Sequence, residues 1–512
     1  MTFERTKNSA RTLVFGVLYR VIITLMPFIT RTIIIYKLGT EYAGLSSLFT
    51  SVLSVLSASE LGIGTAITFC LYEPVAKDRK DEVRALLGLL QKLYWAIGGI
   101  ILVAGLAVMP FINSFVSKDY PADLNLYVLF AIYLLNSSVS YLTSAYKGVL
   151  FRVYQRGDIY HNIHTIAEVF KYVAQSVVLL VWSDYYLFVL ILLLSTMLIN
   201  LLMGIFSKKK YPDLYPSGKV APDVKKIIKS KVMYLSFHSL TAKLISSADN
   251  IIISSLLGLT AVGIYGNYHY VSNALIGFVL IAYGAVRASV GNSVHSESKE
   301  TNLKTFNALW FGSSWMSSWC AITLLCLFEP FIKLWVGEES VLTFPAMLFV
   351  VLYFHANASN QFFTNTYIGV AGLWNKTIIR QILAAVINLG LDVLLGVYFG
   401  VAGIVFASFI TTILIVYPFD IVITYKYILK EPIRIGVFKM IKDYLWFVVL
   451  GALCYVVCIS IPLDGILAML VRAIVCIVLP NGIYLLANKN KEEVSYLYLH
   501  IKSLVKKKTS KK

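Results

Sequence analysis

Fourteen apolar stretches, each about long enough to cross a bilayer as a helix, dominate this chain. They lie near 12–36, 42–68, 85–110, 122–144, 159–182 and 186–206. The series resumes near 230–257, 261–288, 306–329, 341–368, 377–399, 402–425, 441–461 and 465–487. A helix needs about 20 mostly apolar residues to span the hydrocarbon core. Backbone groups in lipid must pair within the segment, so such stretches are helices; a barrel would show short alternating segments instead. The expected fold is therefore all-α, a polytopic membrane protein of about 14 transmembrane helices. Composition agrees. Of the 512 residues 58% are apolar and 14% charged, too few charges for a soluble surface over so much apolar material.

Lys and Arg set the expected orientation. Most fall in the N-terminus, the C-terminus or the even-to-odd connections, and only Lys37, Lys118 and Lys333 sit in the opposite loops. The run from Lys208 to Lys231 and the tail from Lys489 to Lys512 are the richest. Both termini are thus expected in the cytoplasm, and the net charge of +18 reads as a topology signal rather than as nucleic-acid binding. Arg5, Lys7 and Arg11 precede an apolar segment interrupted by Arg20 and Arg31 without a small-residue cleavage site, so the first span is expected to be retained. Cys70, Cys320, Cys326, Cys454, Cys458 and Cys476 show no metal-ligand spacing and read as small apolar fillers.

Two matches at nearly one offset reveal an internal repeat. Thr32 to Gly39 leading into Gly44 recurs as Ile251 to Gly258 leading into Gly263. Asn136, Ser138, Thr143, Tyr146, Gly148 and Val149 recur as Asn357, Ser359, Thr364, Tyr367, Gly369 and Val370. Gly39 paired with Gly258, and Gly44 with Gly263, suit a tight turn between helices. The implied organisation is an N-lobe of six helices (1–206), a basic cytoplasmic linker (207–229) and a C-lobe of six helices (230–425). Two further helices (426–487) and a basic amphipathic tail (488–512) follow. An even number of spans per unit makes the repeats parallel, an architecture used by alternating-access transporters. The tail reading rests on Val494, Leu497, Tyr498, Ile501 and Val505 at helical spacing before Lys506, Lys507 and Lys508, which would meet anionic head groups.

Polar residues within the spans point to the site. Ionisable groups at membrane depth need a partner, a water-filled cavity or a route to the interface. Arg20, Thr24, Pro27 and Arg31 share one face of the first span. Ser236, Ser239, Lys243, Ser246 and Asn250 share one face of the seventh, and His161, His164, Glu168, Lys171 and Gln175 one face of the fifth. Both repeat-related stripes are expected to face a pseudo-symmetric centre. Glu168 and Lys171, one turn apart, read equally well as a neutralising pair. Arg31 and Arg287 could snorkel, and for Lys92 and Arg380, near cytoplasmic ends, snorkelling is the favoured reading. Glu60, Asp249, Asp392 and Asp420 read either as sites for a coupling H+ or Na+ or as partners of cations on neighbouring helices. The clusters Asn136, Ser137, Ser140 and Asn357, Asn360, Gln361, Asn365 suit sugar hydroxyls or interhelical hydrogen bonds.

Several segments resemble one family. Asp249-Asn250-Ile251-Ile252-Ile253 followed by Leu257-Gly258 and Val262-Gly263-Ile264-Tyr265 is similar to the seventh-to-eighth span of bacterial polysaccharide flippases. Tyr154-Gln155-Arg156-Gly157-Asp158 and Gly400-Val401-Ala402-Gly403 resemble family segments too. The group belongs to the multidrug/oligosaccharidyl-lipid/polysaccharide exporter superfamily. The resemblance implies movement of an undecaprenyl-diphosphate-linked oligosaccharide from the inner to the outer leaflet of the plasma membrane, alongside polysaccharide polymerase machinery. Arg20, Arg31, Lys171 and Lys243 would suit the diphosphate, with Asn136, Asn250, Asn357 and Gln361 towards the sugar. Glu60, His164, Glu168 and Asp249 stay as coupling or ion-pair candidates. No cofactor is expected beyond a coupling ion or the membrane potential.

Other readings remain open. A peptidoglycan-precursor flippase is close in sequence terms, whereas a drug exporter with cationic substrates calls for acidic residues. A glycosyltransferase or polymerase typically needs a substantial outer domain, and the outer connections near Ser117–Ala122 and Lys333–Ser340 are short. No catalytic constellation is expected.

Overall fold

The computed structural model describes residues 5–58, 60–116 and 120–496. Within them every ordered element is helical, and no strand occurs. In chain order the helices are α1 (Arg5–Lys37), α2 (Thr40–Leu56), α3 (Glu60–Ala76), α4 (Lys80–Val108), α5 (Leu126–Leu142), α6 (Gly148–Val153), α7 (Gly157–Val181), α8 (Tyr185–Lys210) and α9 (Pro222–Leu257). They continue as α10 (Leu259–Ser296), α11 (Lys299–Val336), α12 (Phe344–Gln361), the short turn α13 (Gly369–Ala371), α14 (Ile378–Thr411), α15 (Tyr417–Ile423), α16 (Ile433–Ile459) and α17 (Gly465–Asn488).

Ten helical segments among the described residues are long and apolar enough to cross a membrane, or eleven if the bent pair formed by α5 and the residues to Val153 is one span. The sequence count of fourteen differs in three places. The stretch 341–368 is not among these segments, because its helix α12 (Phe344–Gln361) ends in the polar residues Asn357, Ser359, Asn360 and Gln361. The stretch 42–68 is broken: Ser57 and Ala58 turn the chain between α2 and α3, which are 17 residues each. Conversely, 373–429 counts as one segment of 57 residues, although Gly400 breaks α14 internally at φ 58, ψ −139. A Cβ on Gly403 would stand 2.0 Å from the Leu395 carbonyl oxygen, so the Gly400–Gly403 segment is a close backbone turn.

Two compact units form, residues 1–266 and 267–512. This division falls inside α10, while the sequence repeat divides in the linker. In the first unit α9 packs on α2 and α3, with Asn250 Nδ2 donating to Ser51 Oγ at 2.9 Å. The first core is built on Leu45, Leu48 and Phe49 of α2 against Phe130 and Tyr133 of α5, with Phe49 edge-on to both rings at 5.5 Å. In the second unit Phe306 and Trp310 of α11 meet Phe363, Tyr367 and Tyr425 at 5.0–6.3 Å. Three π-helical segments, Phe362–Ile368, Thr412–Val416 and Thr424–Leu429, interrupt the helices there.

The linker is shorter than its basic run. Helix α8 continues to Lys210 and α9 begins at Pro222, where proline at the first position costs no hydrogen bond. Between them the chain is tied to α4: Arg84 Nε donates to the Asp213 carbonyl at 2.7 Å, and Ser217 N–H donates to the Arg84 carbonyl at 3.3 Å. Tyr211 stacks on Tyr154 at 4.7 Å, and burial raises both phenols above their ordinary pKa. Leu497 onward, and with it all of the proposed apolar face of the tail except Val494, lies outside the described residues, as do Ser117 and Lys118.

The repeat glycines meet reciprocally. A Cβ on Gly44 would stand 2.0 Å from the Leu259 carbonyl oxygen, and one on Gly263 would stand 2.3 Å from that of Thr40. The neighbouring bond from Thr260 Oγ1 to Glu41 Oε1, 2.9 Å, spans the same 219 residues. Gly39 and Gly258 just before have φ of 119° and 93°, a region that glycine enters without steric penalty. Gly44→Ala or Gly263→Ala is expected to lower stability by about 1–3 kcal/mol or more, the cost of overpacking. Unfolding midpoints in detergent, with Gly99→Ala in open space as the reference, check this.

Candidate substrate-handling site

The four cations singled out from sequence have different fates. Lys171, on α7, forms an ion pair with Glu168 one turn away and lies 4.1 Å from the Tyr172 ring centroid. Both partners are largely buried, with side chains 11% and 16% exposed. The helical spacing that aligned them also neutralises them, so Lys171 presents little net charge.

Arg31 is tied into the backbone. Its Nη2 donates to the Gly263 carbonyl at 2.9 Å and its Nη1 to Ser47 Oγ at 3.4 Å. A Cβ on Gly266 would stand 2.6 Å from Nη2, so glycine there makes room for the guanidinium. Arg31 therefore fixes α1 against α2 and the start of α10 rather than snorkelling.

Arg20 and Lys243 differ from both. Arg20 is exposed on α1 and Lys243 half-exposed on α9. Among the described residues neither side chain has an ion-pair or hydrogen-bond partner. Thr24 Oγ1 donates to the Arg20 carbonyl at 2.8 Å and Ser246 Oγ to that of Lys243 at 3.3 Å, so these stripe hydroxyls serve the backbone.

Helix α7 carries the rest of its stripe towards α1 and α8. His161 and His164 lie 5.6 and 5.9 Å from the Tyr19 ring of α1, and His164 is 4.4 Å from Tyr160. Gly16 faces His161, and a Cβ there would stand in ordinary contact with the imidazole at 3.5 Å. Gln175 Nε2 donates to the Phe188 carbonyl of α8 at 3.0 Å.

The four intramembrane acids read from sequence, Glu60, Asp249, Asp392 and Asp420, all have partners. Tyr94 donates to Glu60 at 2.9 Å, Tyr265 to Asp249 at 2.9 Å, and Asn388 Nδ2 to Asp392 at 3.0 Å and to Ser408 Oγ at 3.2 Å. Asp420 pairs with Arg380 and accepts from Thr364 Oγ1 at 2.6 Å, while Asn360 Nδ2 donates to Thr364 at 3.3 Å. This corrects the snorkelling reading of Arg380. Its side chain is 6% exposed and that of Asp420 fully buried, because packing of α12, α14 and α15 brings a carboxylate to it. Lys92 by contrast is exposed.

Of the amides, Asn136 accepts from Thr196 Oγ1 of α8 at 2.7 Å, an interhelical bond. Asn357, Gln361 and Asn365 instead form a ladder along one face, Gln361 Nε2 donating to Asn357 at 3.2 Å and Asn365 to Gln361. All three are half-exposed, with spare donors and acceptors of the kind that hydroxyl-rich ligands engage. Sequence spacing missed one feature of the first unit. A cleft of about 450 Å³ between α4 and the linker is lined by Gln91, Lys92, Ser217, Lys219 and Lys225, and clustered lysines attract anions.

Arrangement and fold together define a class: a multi-pass helical membrane protein with the architecture of lipid flippases and exporters. A solved structure of the lipid II flippase MurJ, in an inward closed conformation, aligns with TM-score 0.67 over 94% of this chain and 99% of that one, at 14% identity. An inward-facing multidrug resistance MATE family transporter of the MOP superfamily aligns with TM-score 0.57 over 76% and 92%, at 16% identity. Its outward-facing counterpart gives 0.54 over 85% and 96%, at 15% identity. No curated protein sequence matches. The family model described as polysaccharide biosynthesis protein matches residues 10–287, and the chain belongs to that family.

Proposed function

We propose that this protein is an alternating-access flippase. It moves an undecaprenyl-diphosphate-linked oligosaccharide from the inner to the outer leaflet of a bacterial plasma membrane, for cell-surface or capsular polysaccharide synthesis. The carrying observation is the pair Arg20 and Lys243, two membrane-depth cations without partners among the described residues. A cation left unneutralised in such a segment is costly unless it meets an anion or water, and a diphosphate head group supplies the anion. Family membership and the flippase-like fold support the reading. The Asn357–Gln361–Asn365 ladder would engage sugar hydroxyls, and the lysine cleft on α4 would collect anionic head groups. With both termini cytoplasmic, negative charge moves outward along an inside-negative potential, favoured by about 2.3 kcal/mol per charge per 100 mV. A coupling ion at an intramembrane acid, and polysaccharide polymerase machinery as a partner, belong to the same proposal.

The fold shared with a lipid II flippase favours one second reading, a lipid-linked peptidoglycan precursor as cargo. Proteoliposomes with fluorescent lipid-linked substrates separate the two by leaflet accessibility. Faster transfer of the oligosaccharide lipid than of the peptidoglycan precursor or of a cationic drug is expected. Transfer of the drug alone would overturn the flippase reading, and preference for the precursor would reassign the cargo.

A further inference from the structure

Three cysteines far apart in sequence converge in the second unit. Cys326 on α11, Cys458 on α16 and Cys476 on α17 place their sulfurs within 4.8 Å of one another. They are 4%, 1% and 0% exposed. Helices α11, α16 and α17 pack pairwise, and the Cys476 carbonyl accepts from Trp319 Nε1 at 3.0 Å, which fixes α17 on α11. All three are as buried as the filler reading expects, and what sequence spacing does not display is that three helices bring them to one point.

We propose that Cys326, Cys458 and Cys476 form a binding site for one soft monovalent cation, of the Cu(I) class. An ion bound in a plane by three sulfurs at about 2.3 Å holds those sulfurs about 4.0 Å apart. The observed spacing reaches this with sub-ångström adjustments. Sulfur-only donors select soft metals and reject hard cations such as Mg2+ or Ca2+, which require oxygen. Burial sets the charge state. A complex with net charge is expensive in this interior, so the neutral form is one thiolate, two thiols and one Cu(I). One S–H bond breaks and its proton leaves to solvent; one thiolate–Cu bond and two dative thiol–Cu bonds replace the chelator or solvent ligands of the ion, and nothing is oxidised or reduced. Cys454, one turn before Cys458 on α16 and equally buried, stands outside the cluster and serves as the internal control.

The site has a consequence for the fold. The α16–α17 pair follows the twelve repeated stretches, and an ion held by all three sulfurs staples it to α11. The test uses purified full-length protein under anaerobic, reducing conditions, titrated with Cu(I) against a competing chelator. One ion per chain is expected, with release of one proton and a rise in thermal midpoint. X-ray absorption should show a shell of sulfur alone. Cys326→Ala and Cys458→Ala should each weaken binding by more than the about 10–100-fold that loss of an outer-shell partner costs, while Cys454→Ala binds as the parent does. If either variant fails to fold, Cys476→Ser tests the same ligand set. Equal uptake by the parent and by well-folded cluster variants, or equal loss in Cys454→Ala, would overturn the site.

Discussion

Asp420→Ala is expected to lower stability by about 3–5 kcal/mol, the cost of leaving one member of a buried pair uncompensated. Asp420 is completely buried and its Arg380 partner nearly so, so the remaining guanidinium would be left buried without its counter-charge. Thr364, and Asn360 behind it, would also lose the acceptor that orients them. Arg380→Ala should cost a similar amount from the other side. The combined replacement Arg380→Met with Asp420→Leu should recover much of the loss, because apolar side chains of similar volume often replace a buried pair without penalty. Chemical unfolding in detergent distinguishes these outcomes. A single variant as stable as the parent, or a double variant with the summed loss of both singles, would show that the pair does not hold α14 to α15. The π-helical turns on either side of Asp420 mark a place where the helix ladder has already yielded to side-chain packing.

Much of the fold is legible in sequence because lipid leaves a chain few choices. Among the described residues the apolar stretches read from sequence are mostly helical, since no other local structure satisfies their backbone in lipid. The break after Leu56 is less visible: Ser57 and Ala58 are tolerated in a span, and only the turn they form separates α2 from α3. Reciprocal contacts at Gly44 and Gly263 follow from a repeat that can be read directly.

Site residues divide by the range of their partners. Glu168 and Lys171 sit one turn apart on α7, so helical period alone brings them together. Arg380 and Asp420, or Cys326, Cys458 and Cys476, meet through packing of separate helices, and nothing local announces it. Arg31 reads as a membrane-depth cation yet spends its donors on Gly263 and Ser47. Among its partners is a carbonyl, which sequence patterns do not display.

The central claim is that Arg20 and Lys243 hold the diphosphate, and transfer by charge-removed variants tests it most directly. A hydrogen bond to a charged group contributes about 1.5–3 kcal/mol, so each lost cation should slow transfer by about 10-fold to 150-fold. Neither side chain has a structural partner among the described residues, so Arg20→Ala and Lys243→Ala should melt as the parent does. Lys171→Ala provides the contrast: it leaves Glu168 uncompensated and should lose stability along with any activity. The decisive measurement is leaflet transfer of a polyprenyl-diphosphate-linked oligosaccharide by the Arg20→Ala/Lys243→Ala double variant in proteoliposomes. The account predicts that transfer is abolished while the thermal midpoint is unchanged; parental transfer rates in the double variant would contradict it.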